Sequence, residues 1–146
     1  MREVTGNLWE YPADVRVITT NGTVKKNGEC VMGRGCAAEA KARFPNIDAE
    51  LGRQIKLHGN NTRVLRYVPG EPTIVALPVK HHWYDKADMD LITKGAKRLV
   101  ILADQHGWKT IVLPRPGCGN GHLKCEHVRP VLAPILDDRF HVITFR

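Results

Sequence analysis

The order of apolar and polar positions divides the chain into alternating strand-like and helix-like stretches. Val15 to Thr20 (VRVITT) is apolar and β-branched, which favours a strand. Cys36 to Phe44 (CAAEAKARF) is rich in helix formers, and Pro45 stops it, because proline disfavours helical backbone in the residue before it. Asp48 to His58 reads as a second short helix. Thr62 to Val68 alternates and Thr73 to Val79 is almost continuously apolar, which predicts two strands separated by the turn PGEP. Between Asp88 and Gly107, Leu91, Ile92, Leu99, Val100 and Leu102 recur at helical spacing, with Asp88 able to cap the start and Gly107 the end. Thr110 to Leu113 predicts a short strand, Leu123 to Leu136 a helix shortened or kinked by Pro130 and Pro134, and His141 to Phe145 a final strand. Strands alternating with helices imply an α/β fold with a mixed central sheet and helices on both faces.

Length changes this picture little: 146 residues suit one domain, taken as 1–146. No apolar run approaches the roughly 18 residues of a membrane span, and MREVTGNLWEYP lacks the apolar core of a signal peptide, so the expected setting is the cytoplasm, with no membrane partner. Cys30, Cys36, Cys118 and Cys125 form no CxxC pair and no zinc-like spacing, which predicts reduced thiols and no metal. The net charge of +7 favours an anionic partner. The basic residues are scattered, however, with Lys25-Lys26 and Lys97-Arg98 the only adjacent pairs, and there is no basic run or aromatic RNA-binding motif.

Candidate chemistry lies in two glycine-rich loops. NGTVKKNGECVMGRG follows the first predicted strand, and LPRPGCGNGHLKCEHV follows TIVL. In an open α/β sheet, ligands bind beyond the carboxyl ends of strands, where both loops fall. Glycine lets backbone N–H groups approach phosphate oxygens, and a following helix N-terminus adds positive potential. Gly33, Gly35, Gly117, Gly119 and Gly121 can therefore cradle a diphosphate, although glycines also serve plain turns. There is no GxxxxGK[ST], and MGRGCA lacks full GxGxxG spacing, which disfavours a P-loop hydrolase or a Rossmann dehydrogenase.

On these residues the chain resembles the macrodomains, an ADP-ribose-binding α/β family. TGNL, VMGRGCAAEAKARFP and LPRPGCGNGHLKCEHV carry the resemblance, which runs from about Val4 to Phe145. The chain is most similar to the terminal ADP-ribose protein glutamate glycohydrolases, in which MGxGxAxxxKxxF and PRxGCGxxxLxWxxV occur in the same order. The resemblance implies a single three-layer domain. It places adenine near Gly6-Asn7, where most members have Gly-Asp, with Asn7 and Leu8 as contacts and Trp9 and Tyr11 as possible neighbours. It places the distal ribose against Thr20 and Asn21, with Asn27 a rival to Asn21, and the loop of Met32, Gly33, Gly35, Cys36 and Ala37 beside it. Pro116, Gly117, Cys118, Gly119, Asn120, Gly121 and His122 would wrap the diphosphate.

In the glycohydrolases a lysine after the central strand and an acidic residue in the second glycine loop act on the anomeric carbon. Comparison with LPVKHHWYDK puts Lys80 or its neighbour His81 at the lysine position, and Lys80 is the better chemical match. The acidic position falls on Gly121. A bound water activated by His81, His82 or His122 is another route, since histidine titrates near neutrality, although each reads more readily as a solvated loop residue or a side chain bonded to backbone. Trp83 and Tyr84 read either as packing or as walls for adenine or ribose. The resemblance implies a hydrolase that removes ADP-ribose from modified protein or nucleic acid. Two alternatives stand beside it: an ADP-ribose 1″-phosphate phosphatase, since Gly-Asn also occurs in macrodomains of that type, and a non-catalytic reader. The expected partners are ADP-ribose or an ADP-ribosylated macromolecule, with a monomeric chain and no cofactor.

Overall fold

A computed structural model of the chain describes residues 1–145. Its elements are β1 (Arg2–Gly6), β2 (Val15–Asn21), α1 (Gly35–Arg43), α2 (Ile47–His58), β3 (Arg63–Arg66), β4 (Thr73–Lys80), α3 (Met89–His106), β5 (Ile111–Pro114), α4 (Cys125–Leu132) and β6 (Phe140–Phe145). They build a six-stranded sheet in the order β1-β6-β5-β2-β4-β3. Every pairing is parallel except that of β3 with β4, so the sheet is mixed.

Two cores cover the two faces of the sheet and make the three layers. On one face Val15, Val17, Val75 and Leu77 pack with Ile92, Ala96 and Leu99 of α3 and with Val128 and Leu132 of α4. On the other, Ile18, Ile74 and Ala76 pack with Ala37 and Ala40 of α1 and Leu51 of α2. β4 sits between two strands and two helical layers, so Thr73 to Val79 are all buried. This accounts for its unbroken apolar run.

Local signals set the ends of α3. The Asp88 carboxylate accepts hydrogen bonds from the backbone of Asp90 at 2.8 Å and Leu91 at 3.4 Å, and Gly107 closes the helix in the left-handed conformation. α4 is shorter than the pattern suggests. Leu123 and Lys124 still belong to the glycine loop, and the helix stops at Leu132, ahead of Pro134, while Pro130 stays inside it. β3 is also shorter than Thr62 to Val68, and an irregularity lies between Val64 and Arg66. β1 lies outside the predicted elements; it pairs along β6 from Arg2↔His141 to Gly6↔Phe145.

Cys118 and Cys125 are joined in a disulfide, which corrects the expectation of four reduced thiols, while Cys30 and Cys36 are free. Among the described residues no helix is long and apolar enough to cross a membrane.

Because β1, β6, β5, β2 and β4 are parallel, their carboxyl ends share one edge of the sheet. The two glycine loops leave β2 and β5, which are neighbours, and so they meet above that edge.

Candidate functional site

At the end of β1 the chain turns sharply. The Asn7 carbonyl accepts from the backbone of Glu10 and Tyr11, and its side-chain oxygen accepts from the Trp9 backbone at 2.8 Å. The turn drives Leu8 and Trp9 inward, where both are buried. The Trp9 indole N–H donates to Glu39 at 3.3 Å, and the Arg43 guanidinium lies 4.7 Å from the centre of the Trp9 rings. Leu8 and Trp9, with Ile143 and Phe145 of β6, form an apolar end to the cleft. Tyr11 instead turns to β6, its hydroxyl 2.6 Å from Nδ1 of His141.

The first glycine loop leaves β2 at Thr20 and Asn21. Asn21 donates to the carbonyl of Val31 at 2.9 Å and accepts from the backbone of Thr23 at 3.0 Å, so its side chain holds the loop in shape. Asn27, the rival, is bonded to Glu29 within the exposed part of the loop. The chain returns through Met32 and Gly33 to α1, whose N-terminus carries no side-chain cap. The Cys36 sulfur accepts from the backbone of Thr19 at 3.3 Å and ties the first turn of α1 to β2. Burial pushes the Cys36 thiol up from its ordinary value, which keeps it protonated and unreactive.

The second glycine loop is closed by its own backbone. Leu123 N donates to the Gly117 carbonyl at 2.8 Å, and His122 N donates to Gly119 at 3.1 Å. Gly117 has a φ of +76°, and a Cβ there would meet the methyls of Ile92 and Leu123 at 2.9 Å, so only glycine suits the position. A Cβ at Gly119, in contrast, has nothing within 4 Å. The Asn120 amide reaches the opposite loop, lying 3.2 Å from where a Gly35 Cβ would stand.

Lys80 ends β4 at the same edge. Its carbonyl accepts from Asn60 at 3.0 Å, and its ammonium donates to the carbonyl of Trp83 at 3.3 Å. His81 points away: its Nε2 lies 2.8 Å from the Asp88 carboxylate. That hydrogen bond holds the Asp88 carboxyl below its usual range.

Together these elements enclose a cleft of about 650 Å³. Among the expected residues, Asn7, Leu8, Thr20, Asn21, Met32, Gly33, Gly35, Cys36, Ala37, Lys80, Gly117, Gly119, Asn120 and Gly121 line it. His81, Pro116, Cys118 and His122 do not. His81 is held by Asp88, Pro116 is buried, Cys118 is drawn into its disulfide with Cys125, and His122 sits at a left-handed turn with φ +61°. The cleft also takes in Thr19, Arg34, Glu39, Trp83, Arg115, Ile143 and Phe145. Arg34 and Arg115 were readable as cations inside the glycine loops. Ile143 and Phe145 were not, because nothing in the sequence shows that β6 lies beside β1. Among the described residues no group of three or more His, Cys, Asp or Glu side chains is placed to hold a metal ion.

Comparison with known proteins gives consistent matches. The Macro domain family model matches residues 25–132. A DNA ADP-ribosyl glycohydrolase of Thermus aquaticus is 32% identical over 142 residues, covering 94% of this chain but 38% of that protein. The chain thus spans well under half the length of this relative. Among solved structures, the macrodomain of Thermus aquaticus DarG superposes with a TM-score of 0.84 at 28% identity, covering 99% of this chain and 97% of that one. The macrodomain of Mycobacterium tuberculosis DarG superposes with a TM-score of 0.81 at 25% identity, covering 98% and 96%.

Proposed function

The chain belongs to the Macro domain family, and from that premise we propose that its cleft binds ADP-ribose and that the chain removes ADP-ribose from modified DNA. The observation that carries this reading is the convergence of two glycine loops, from the adjacent strands β2 and β5, on one cleft of nucleotide size. Adenine goes to the apolar end between Leu8, Trp9, Ile143 and Phe145. The diphosphate lies between the second loop and the uncapped N-terminus of α1, with Arg34 and Arg115 adding positive charge. The distal ribose then lies toward Thr20, Asn21 and Lys80. The DNA acceptor is taken from the Thermus aquaticus relative, which is named for that substrate.

In this arrangement Lys80 is the acid. As the bond from C1″ to the acceptor atom breaks, its electrons pass to that atom, which takes a proton from the Lys80 ammonium. Water adds to C1″, and the proton it releases restores the ammonium. No carboxylate is available from the second loop, because a side chain at Gly121 has no room. We propose further that the chain works as a monomer in the cytoplasm.

The test is to incubate the protein with an ADP-ribosylated oligonucleotide, a glutamate-linked ADP-ribosyl protein and ADP-ribose 1″-phosphate. Release of ADP-ribose from the oligonucleotide is the expected result. Release of phosphate alone would make it a phosphatase. Calorimetric binding of ADP-ribose with no turnover of any substrate would make it a reader, which the missing carboxylate at Gly121 favours as the second reading.

A further inference from the structure

The loop that leaves β4 after Lys80 carries three aromatic side chains in a row, His82, Trp83 and Tyr84. Trp83 is 51% exposed and Tyr84 67%, whereas the other tryptophans, Trp9 and Trp108, are 7% and 9% exposed. Large rings left in water beside a cleft point to a partner. These rings are also ordered against one another. The His82 ring stacks on Tyr84 with centroids 5.3 Å apart and planes 5° from parallel, and Trp83 meets Tyr84 edge-on at 5.6 Å.

The backbone beneath the rings is pinned at several points. Trp83 N donates to the Thr23 hydroxyl at 2.9 Å, His82 N to the Asp85 carboxylate at 3.1 Å, and Ala87 N to the carbonyl of Gly121 at 3.0 Å. The Lys80 ammonium donates to the carbonyl of Trp83 itself. Rings presented on a fixed loop lose little conformational freedom when something stacks on them. Trp83 lines the cleft next to Lys80, while Tyr84 lies outside it. With the ribose placed at Lys80 as proposed above, an acceptor joined to it lies beside Trp83. Lys26, three residues along the loop from the Thr23 that holds Trp83, and Lys86, two residues beyond Tyr84, are exposed cations, and Asp85 is already bonded to the loop backbone.

A nucleobase offers a flat face for such rings at every position of a strand, and its phosphates suit the flanking lysines; a glutamate or aspartate acceptor offers neither. We propose that His82, Trp83 and Tyr84 form a stacking platform for bases of single-stranded DNA adjoining the ADP-ribosylated nucleotide. The inference rests on the DNA-hydrolase reading and gives it a binding surface. A duplex keeps its bases stacked inside and cannot use the platform without unpairing.

Two measurements separate the platform from the chemistry. The first titrates the protein at low salt into an unmodified, fluorescently labelled single-stranded oligonucleotide and follows its anisotropy. Wild type is expected to bind, and the double variant Trp83→Ala/Tyr84→Ala to bind at least about tenfold more weakly. The second follows hydrolysis of an ADP-ribosylated oligonucleotide by Tyr84→Ala and Tyr84→Phe. Tyr84→Ala is expected to lower kcat/KM about tenfold with its ADP-ribose affinity unchanged, and Tyr84→Phe to restore it. Hydrolysis by wild type with neither variant impaired would overturn the platform and leave the hydrolase. Oligonucleotide binding lost in the double variant, with no hydrolysis by wild type, would keep the platform and remove the hydrolase. Absence of oligonucleotide binding to wild type overturns the platform.

Discussion

The carbonyl oxygen of Gly117 lies 2.6 Å from where a Cβ of Gly121 would stand, and the Gly117 Cα lies at 2.8 Å. Both neighbours are backbone of the same loop, held by the hydrogen bond from Leu123 N to the Gly117 carbonyl. The loop is thus folded around the absence of a side chain at the position where the resemblance to the glycohydrolases implies an acidic residue. Installing that residue is expected to harm the protein. Gly121→Asp should destabilise the fold by about 1–3 kcal/mol through overpacking and should weaken ADP-ribose binding, read by thermal denaturation and calorimetry. Faster hydrolysis in this variant would show that the loop opens to accept a carboxylate.

Gly119 is the opposite case, since a Cβ there meets nothing within 4 Å while the position lines the cleft. Gly119→Glu should melt close to wild type. Its carboxylate should nonetheless repel the diphosphate and fill its site, lowering ADP-ribose affinity at least about a hundredfold. The informative result is the pairing of a normal melt with lost binding; a normal melt with normal binding would put the diphosphate elsewhere.

Lys80 combines a backbone fixed by Asn60 with an ammonium at the cleft wall. Lys80→Ala should reduce kcat by about a hundredfold or more, the range for loss of a positioned acid, while ADP-ribose still binds. His81→Ala should retain most activity, because its imidazole is engaged by Asp88 outside the cleft. Comparable losses in both variants would argue for a loop effect in place of proton transfer.

Much of this cleft is visible in the sequence because two glycine-rich loops each follow a strand, and clefts in α/β sheets form beyond the carboxyl ends of strands. Both loops, β2, β4 and α3 follow from local patterns alone. What local patterns do not contain is strand order. REVTG is polar and largely exposed, and it becomes β1 only by pairing with β6 at the far end of the chain. The same pairing brings Ile143 and Phe145 to the apolar end of the cleft. The side-chain amide of Asn21 was likewise unreadable, since its partner Val31 is fixed by the path of the loop between them.

Asp88 gives a pH test. Its carboxyl sits below the ordinary value of 3.8, chiefly through the hydrogen bond from His81. A depressed carboxyl stabilises the fold above its ordinary value, and that contribution fades as pH falls through the folded one. Asp88→Ala, which also removes the cap of α3, should cost about 1 kcal/mol near neutral pH. The cost should shrink as pH falls below 3.8 and through the depressed folded value, as a series of thermal melts from neutral to acid pH would show. In His81→Ala the carboxyl titration of Asp88, followed by NMR, should move up toward 3.8.

The cysteines divide into two classes that a thiol count can separate. Cys118 and Cys125, with Cα atoms 5.4 Å apart, are bonded across the second glycine loop. Cys30 is free, but burial, reinforced by Asp48, pushes its thiol up to about 12. Burial raises Cys36 as well. Since the thiolate is the reactive form, both free cysteines should resist alkylation in the folded protein at pH 8. Denaturation without reductant should expose two alkylatable thiols, those of Cys30 and Cys36. Reduction before alkylation should add Cys118 and Cys125, a difference that intact-mass spectrometry reads directly. Alkylation of all four without reductant would mean that the second glycine loop works without its cross-link, held only by its backbone hydrogen bonds and its tie to Ala87.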